Sequence, residues 1–223
     1  MTQNILDPRQ NTSSQADRAY DELEERIVTL ALRPGEVVSE NMLASLLGMG
    51  RSPVRDAIKQ LAREGLVVIL PKRGVMIAEV DVRRQLELLE ARRQVERFVA
   101  AAAAARATPR ERETFATLAA AMEDAGNRDD GVSFLKLDKD FHEQMLATAR
   151  NRYAAAMLGL VQSQARRFFY AFYQQTTTVP ETARLHAQVA RAISQGDSAA
   201  AQSAFDQLMD NVDAFTRATL DLS

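Results

Sequence analysis

The chain has 223 residues, 46% apolar and 26% charged, with a net charge of −2 and no cysteine. That length suits two domains, one of about 70 residues and one of about 140. The lack of cysteine excludes disulfides and thiolate chemistry, and no apolar run approaches the roughly 18 residues a membrane span needs, which together point to a cytoplasmic protein.

Residues 1–14 are polar and carry no apolar signal core, so they read as a disordered tail. From Gln15 to Leu32, Ala19, Leu23, Ile27 and Leu30 recur at helical spacing, and Arg33-Pro34-Gly35 stops the helix. Ser39 is a candidate cap for a short helix that turns Met42, Leu43, Leu46 and Leu47 inward and ends at Gly48. Ser52-Pro53 reads as the cap and first position of a third helix with Val54, Ala57, Ile58 and Leu61 on its apolar face. Leu66–Leu70 and Val75–Val80 read as strands around the turn Pro71-Lys72-Arg73-Gly74. Helix, helix, helix and hairpin, with a glycine turn between the second and third helices, is the order of a winged helix-turn-helix, here residues 15–80.

After Asp81 the pattern is helical to residue 220. Helices are expected over 83–107, 109–125, 131–149, from after Asn151 to about Gln175, 181–194 and 198–220, with Thr176–Pro180 as a loop. Short connections between them imply an antiparallel all-helical bundle over residues 81–223, so the fold class is mostly α.

Between Arg51 and Arg73 stand six bases against two acids, a local excess of four positive charges on an acidic chain. Such a patch is what phosphate binding requires. Arg51 lies at the turn and Arg55 one turn into the third helix, where arginine can donate bidentately to guanine in the major groove. Ser52 and the helix start can take a phosphate, and Lys72, Arg73 and Gly74 form the tip of the wing.

The bundle holds the chain's two histidines, His142 and His186. Asp138 precedes His142 by four residues, so both leave one helix face. A carboxylate and two imidazoles are a good donor set for a divalent metal. By spacing alone, a hydrogen-bonded core histidine beside Phe141 is the competing reading.

Leu32-Arg33-Pro34-Gly35, Ser39-Glu40 to Leu46, Arg51-Ser52-Pro53-Val54-Arg55-Asp56-Ala57-Ile58 to Leu61, Glu64-Gly65-Leu66 and Arg73-Gly74 resemble the DNA-binding domain of the GntR family over nearly all of residues 16–78. The helical remainder resembles the FCD effector domain shared with the fatty-acid regulator FadR. The resemblance implies a homodimer on a short palindromic operator, usually repressing transcription until a small effector binds. It also implies a metal site built from an aspartate, a histidine four residues on and two later histidines. Leu137–His142 matches the first pair and His186 the third ligand, and Asn151 fits the pattern as well. Leu208, twenty-two residues after His186, stands where the fourth would be. Three ligands imply modest binding of Zn, Ni or Mn, completed by water or an effector carboxylate. Arg92 and Glu96 match the family's Arg-x-x-x-Glu, which makes Arg92 the candidate anchor for an organic-acid effector. An intrahelical surface pair is the alternative there. Arg166 and Arg167 either line the same pocket or flank a core.

The expectation is therefore a sequence-specific DNA-binding transcription regulator, a repressor under effector control, and not an enzyme. Two other classes compete with it. A metal-dependent enzyme would use the Asp/His/His set, and an effector-blind DNA-binding protein would have a ligand-free bundle.

Overall fold

The computed structural model describes residues 14–176 and 179–222, so the expected tail lies almost wholly outside the described residues. The chain divides into two compact units, one of residues up to 27 with 32–78, and one of residues 79 onward with the short segment 28–31.

The first unit contains α1 (Gln15–Val28), β1 (Val37–Val38), α2 (Glu40–Leu47), α3 (Arg51–Arg63), β2 (Val67–Leu70) and β3 (Gly74–Ile77). Ala19, Leu23 and Ile27 of α1 meet Leu43, Val54, Ile58 and Leu61 in one core, roofed by Leu66, Val75 and Ile77 of the hairpin. Ser39 caps α2 by accepting from the Met42 amide, and Gly48 ends it at φ +61. Met42 and Leu46 do not turn inward as expected: each is 44% exposed. The buried stripe of this eight-residue helix is Leu43 and Ala44.

Two further differences from the sequence reading have clear causes. The cap of α3 is Gly50, in extended conformation, and Ser52 is already helical. Pro53 then sits in the first turn, where its missing N–H leaves one fewer amide to cap. Strand β1 was too short for any alternation to reveal, yet it pairs antiparallel with β3, giving a sheet of order β1-β3-β2. Gly74 makes that pairing possible. Its φ is +108, and a Cβ there would lie 2.4 Å from the Val38 carbonyl oxygen.

The second unit is a helical bundle: α4 (Val82–Arg106), α5 (Pro109–Asn127), α6 (Gly131–Ala149), α7 (Arg152–Gly159), α8 (Gln162–Thr176), α9 (Val179–Gln195) and α10 (Ser198–Ala218), with a 3₁₀ turn at Thr219–Leu222. Short polar residues cap most starts: Asp81, Thr108, Asp130, Asn151 and Asp197 each accept from amides of the first turn. Thr108 and Glu111 form a full capping box, and Arg150 donates to Glu111 as well. The single helix expected after Asn151 is two, broken after Gly159, whose helix propensity is poor. The alanines of α4 allow close approach to α9 and α10; Ala100, Ala103 and Ala104 are fully buried beside Phe115, Met122, Phe141, Val189, Ile193 and Phe205.

Candidate functional site

In the first unit the predicted contact residues are all at the surface. Arg51 opens α3, and Arg51, Ser52 and Arg55 are exposed on one side of the helix while Val54, Ala57, Ile58 and Leu61 are buried on the other. Lys72 and Arg73 are exposed at the hairpin turn, closed by the Arg73 amide donating to the Leu70 carbonyl at 3.0 Å. Gly74 is only part-exposed, and its tight approach to Val38 gives it a structural role beside any contact it makes.

Arg55 is held. Its Nε and Nη2 donate to Glu40 Oε2 at 3.1 and 2.9 Å, so α2 fixes where the guanidinium of α3 points. Glu40 stood inside the motif read from sequence, but its pairing was not foreseen. Glu64 stood inside the motif as well, and its partners were not foreseen either. It is 5% exposed and accepts from the Tyr20 hydroxyl at 2.8 Å and Gln60 Nε2 at 3.1 Å, tying α1 to the end of α3. Burial raises its pKa, against the lowering effect of those two donors.

In the bundle, α6 and α9 bring Asp138, His142 and His186 together, with one ligand atom from each within 4.8 Å of the others. All three are buried at 4–9% exposure. Each histidine is oriented by its own helix. His142 Nδ1 donates to the Asp138 carbonyl at 2.9 Å, and His186 Nδ1 to the Thr182 carbonyl at 2.8 Å. Phe134 and Phe141 pack edge-on against the two rings and hold their planes. The site is thus neither a lone core histidine nor a loose acidic cluster.

Electrostatics follow from this packing. Burial pushes the Asp138 carboxyl up, but the two histidines more than offset it, and its pKa lies well below the usual range. Burial likewise disfavours charge on His142, yet Asp138 and Glu96 outweigh it and raise the pKa.

A hydrogen-bond account of His186 tests the site for a metal. Its Nδ1 needs a proton to donate to Thr182. Its Nε2 then presents a lone pair, 3.0 Å from the likewise electron-rich Asp138 Oδ1. Two acceptors at that distance need a cation or a second proton between them. Two metal ligands with bonds of about 2.1 Å at right angles stand about 3.0 Å apart. The donor set therefore fits a divalent ion, and pinning Nδ1 to a carbonyl is the outer-shell support such ligands use.

Asp138, His142 and His186 line one cavity that opens to solvent. Arg92, Glu96, Arg166 and Leu208 line it as well. The Arg92–Glu96 pair is no surface pair: Glu96 is fully buried and Arg92 8% exposed. Arg92 donates to Glu96 from Nε and Nη2 at 3.1 Å each, and its Nη2 stands 3.5 Å from His142 Nε2. The sequence could not tell buried from exposed for this pair. The neighbouring arginines divide. Arg166 faces the cavity and donates to Ser163 Oγ at 3.2 Å. Arg167 is buried and donates to the Glu79 carbonyl at 3.1 Å, with burial lowering its pKa to about 10.

Residues 87–211 match the FCD domain, and residues 15–77 match the bacterial regulatory proteins of the gntR family. The chain belongs to the gntR family. It is a DNA-binding transcription regulator with an effector-binding domain, and this family consists of regulators, not enzymes, which removes the metalloenzyme alternative. An "Uncharacterized HTH-type transcriptional regulator in unstable DNA locus" of Streptomyces ambofaciens is 42% identical over 77 residues, 34% of this chain and only 33% of that one. The HTH-type transcriptional repressor RspR of Escherichia coli K12 is 24% identical over 93% of this chain and 90% of its own. The solved structure of E. coli McbR/YncC shares the fold at a TM-score of 0.78 and 18% identity, covering 93% of this chain and 99% of that one. Among the described residues no helix is long and apolar enough to cross a membrane.

Proposed function

We propose that the protein is an effector-controlled repressor acting as a homodimer, with an organic-acid effector bound in the bundle beside a divalent metal. The observation that carries this is the buried meeting of Asp138 Oδ1 and His186 Nε2 at 3.0 Å in a cavity lined by Arg92. Asp138, His142 and His186 would hold the ion, which supplies a Lewis-acidic point for a carboxylate. Zn, Ni and Mn all accept such donors. With Leu208 as the fourth neighbour the shell is left open for water or the effector. Arg92 adds a guanidinium to the same end of the cavity, its charge shared with Glu96.

On the DNA side, Arg51 and Arg55 read bases, Ser52 and the start of α3 take a phosphate, and Lys72 and Arg73 reach the backbone from the turn before Gly74. The likeness to a named repressor supports the sign of regulation. The coupling runs through shared side chains. Phe168, Phe169 and Phe215 line the cavity and also pack with Val80 and Val82, where the bundle begins, while Arg167 grips the Glu79 carbonyl. A ligand that repacks these rings resets the segment leading into the bundle, and it regulates only by binding the two settings with different affinity.

Metal analysis of protein purified without chelator or histidine tag tests the site. The expected result is bound metal in the wild type and its loss in His142→Ala. Equal metal in both, or none in either, overturns the metal reading.

A further inference from the structure

One polar group lining the bundle's cavity is used by neither the metal site nor the DNA-binding reading. Gln162, at the start of α8, lines that cavity, and its Nε2 is buried with no acceptor among the protein's groups. A buried donor left without a partner is costly, so an acceptor supplied by a ligand gains more there than at the surface. Gln162, Arg166 and Phe169 follow one another at helical spacing on one face of α8, and all three line the cavity.

The wall from α10 is different in kind. Its lining residues are Phe205, Leu208, Met209, Val212 and Phe215, and none carries a polar side-chain group. A ligand with a second carboxylate turned toward this wall would bury that charge against phenylalanine and leucine without compensation. Leu208 is thus more than a missing ligand, because it is part of the apolar wall of the cavity that Asp138, His142 and His186 also line.

We infer that the effector is a carboxylate with an apolar, ring-sized body and a hydrogen-bond acceptor to which the Gln162 Nε2 donates. The carboxylate lies at the Asp138/His142/His186 and Arg92 end, the body against α10 and Phe169, and the acceptor at α8. This rests on the proposed carboxylate site and adds the identity of the remainder of the molecule. Gln162 becomes the residue that selects among carboxylates.

Isothermal titration of the full chain in buffer containing Mn²⁺, with acetate, citrate, benzoate and 4-acetylbenzoate as probes, tests it. The expected order is 4-acetylbenzoate tighter than benzoate by about tenfold, and benzoate tighter than acetate and citrate by at least that factor. Gln162→Leu should erase the preference for the acetyl group, read as the ratio of the 4-acetylbenzoate and benzoate affinities. Gln162→Asn, which keeps an amide but withdraws it by one methylene, should reduce the preference part-way and guards against a folding defect in the first variant. Acetate or citrate binding as tightly as benzoate overturns the apolar body while leaving the carboxylate site standing. Equal affinity for the two benzoates in the wild type, or a preference that survives Gln162→Leu, overturns the role of Gln162. Failure of every probe to bind overturns the carboxylate site itself along with this inference.

Discussion

The two units spend their polar residues in opposite ways. In the first, Arg51, Arg55, Lys72 and Arg73 stand in solvent over an apolar core, as a surface that meets a large polyanion requires. In the second, Asp138, His142, His186, Arg92 and Glu96 are buried around a cavity, as a receptor for a small ligand with a charged group requires. The contrast teaches what each unit can tolerate. Loss of an exposed arginine removes a contact and little stability, whereas loss of one partner in the buried cluster strands the others.

The largest effect that would sharpen this contrast is in the core of the first unit. Ile58→Ala should cost about 2–5 kcal/mol in denaturant unfolding, because Ile58 is 1% exposed at the centre of the helix packing. Gly74→Ala should cost about 1–3 kcal/mol through its φ of +108 and should also part β1 from β3. A Gly74→Ala variant with unchanged stability would leave Gly74 a contact residue only.

Arg55→Ala should weaken operator binding by about 1–3 kcal/mol in an anisotropy titration while its unfolding curve stays near the wild type. Glu40→Gln frees the same guanidinium and should lower discrimination between operator and mismatched sites without abolishing binding. If Arg55→Ala instead unfolds the protein and leaves DNA affinity intact, the exposed-surface side of the comparison is wrong.

The smallest effect concerns pH. The Thr108 amide, then Arg150, then the Thr108 hydroxyl lower the Glu111 pKa from its ordinary value to about 2. A carboxylate so depressed contributes stability that is present above its unfolded value of about 4.5 and is lost as pH falls toward about 2. Glu111→Gln should therefore be less stable than the wild type at neutral pH, and the difference should shrink on acidification through that window, read by thermal unfolding.

Much of the fold was legible because punctuation and periodicity agree. Ser39, Thr108, Asn151, Gly48 and Gly196-Asp197 mark ends that the structure keeps, and α6 spans 131–149 as expected. What was not legible depends on distant neighbours. Two residues of β1 carry no pattern, Ser52 yields its cap to Gly50, and Gly159 breaks a helix that periodicity alone continues. The same holds for the site. Spacing put Asp138 and His142 on one face, but only packing shows His186 3.0 Å from Asp138, the Arg92–Glu96 pair inside, and Gln162 lining the same cavity.

The most direct test of the central claim is one titration on an operator selected in vitro from random DNA. Wild type and His142→Ala would be compared by fluorescence anisotropy, each with and without Mn²⁺ and 4-acetylbenzoate. The account predicts equal affinity for DNA without ligand, at least a tenfold loss of wild-type affinity on ligand addition, and no ligand response in His142→Ala. A ligand response that persists in His142→Ala, or DNA binding lost in that variant without ligand, would contradict it.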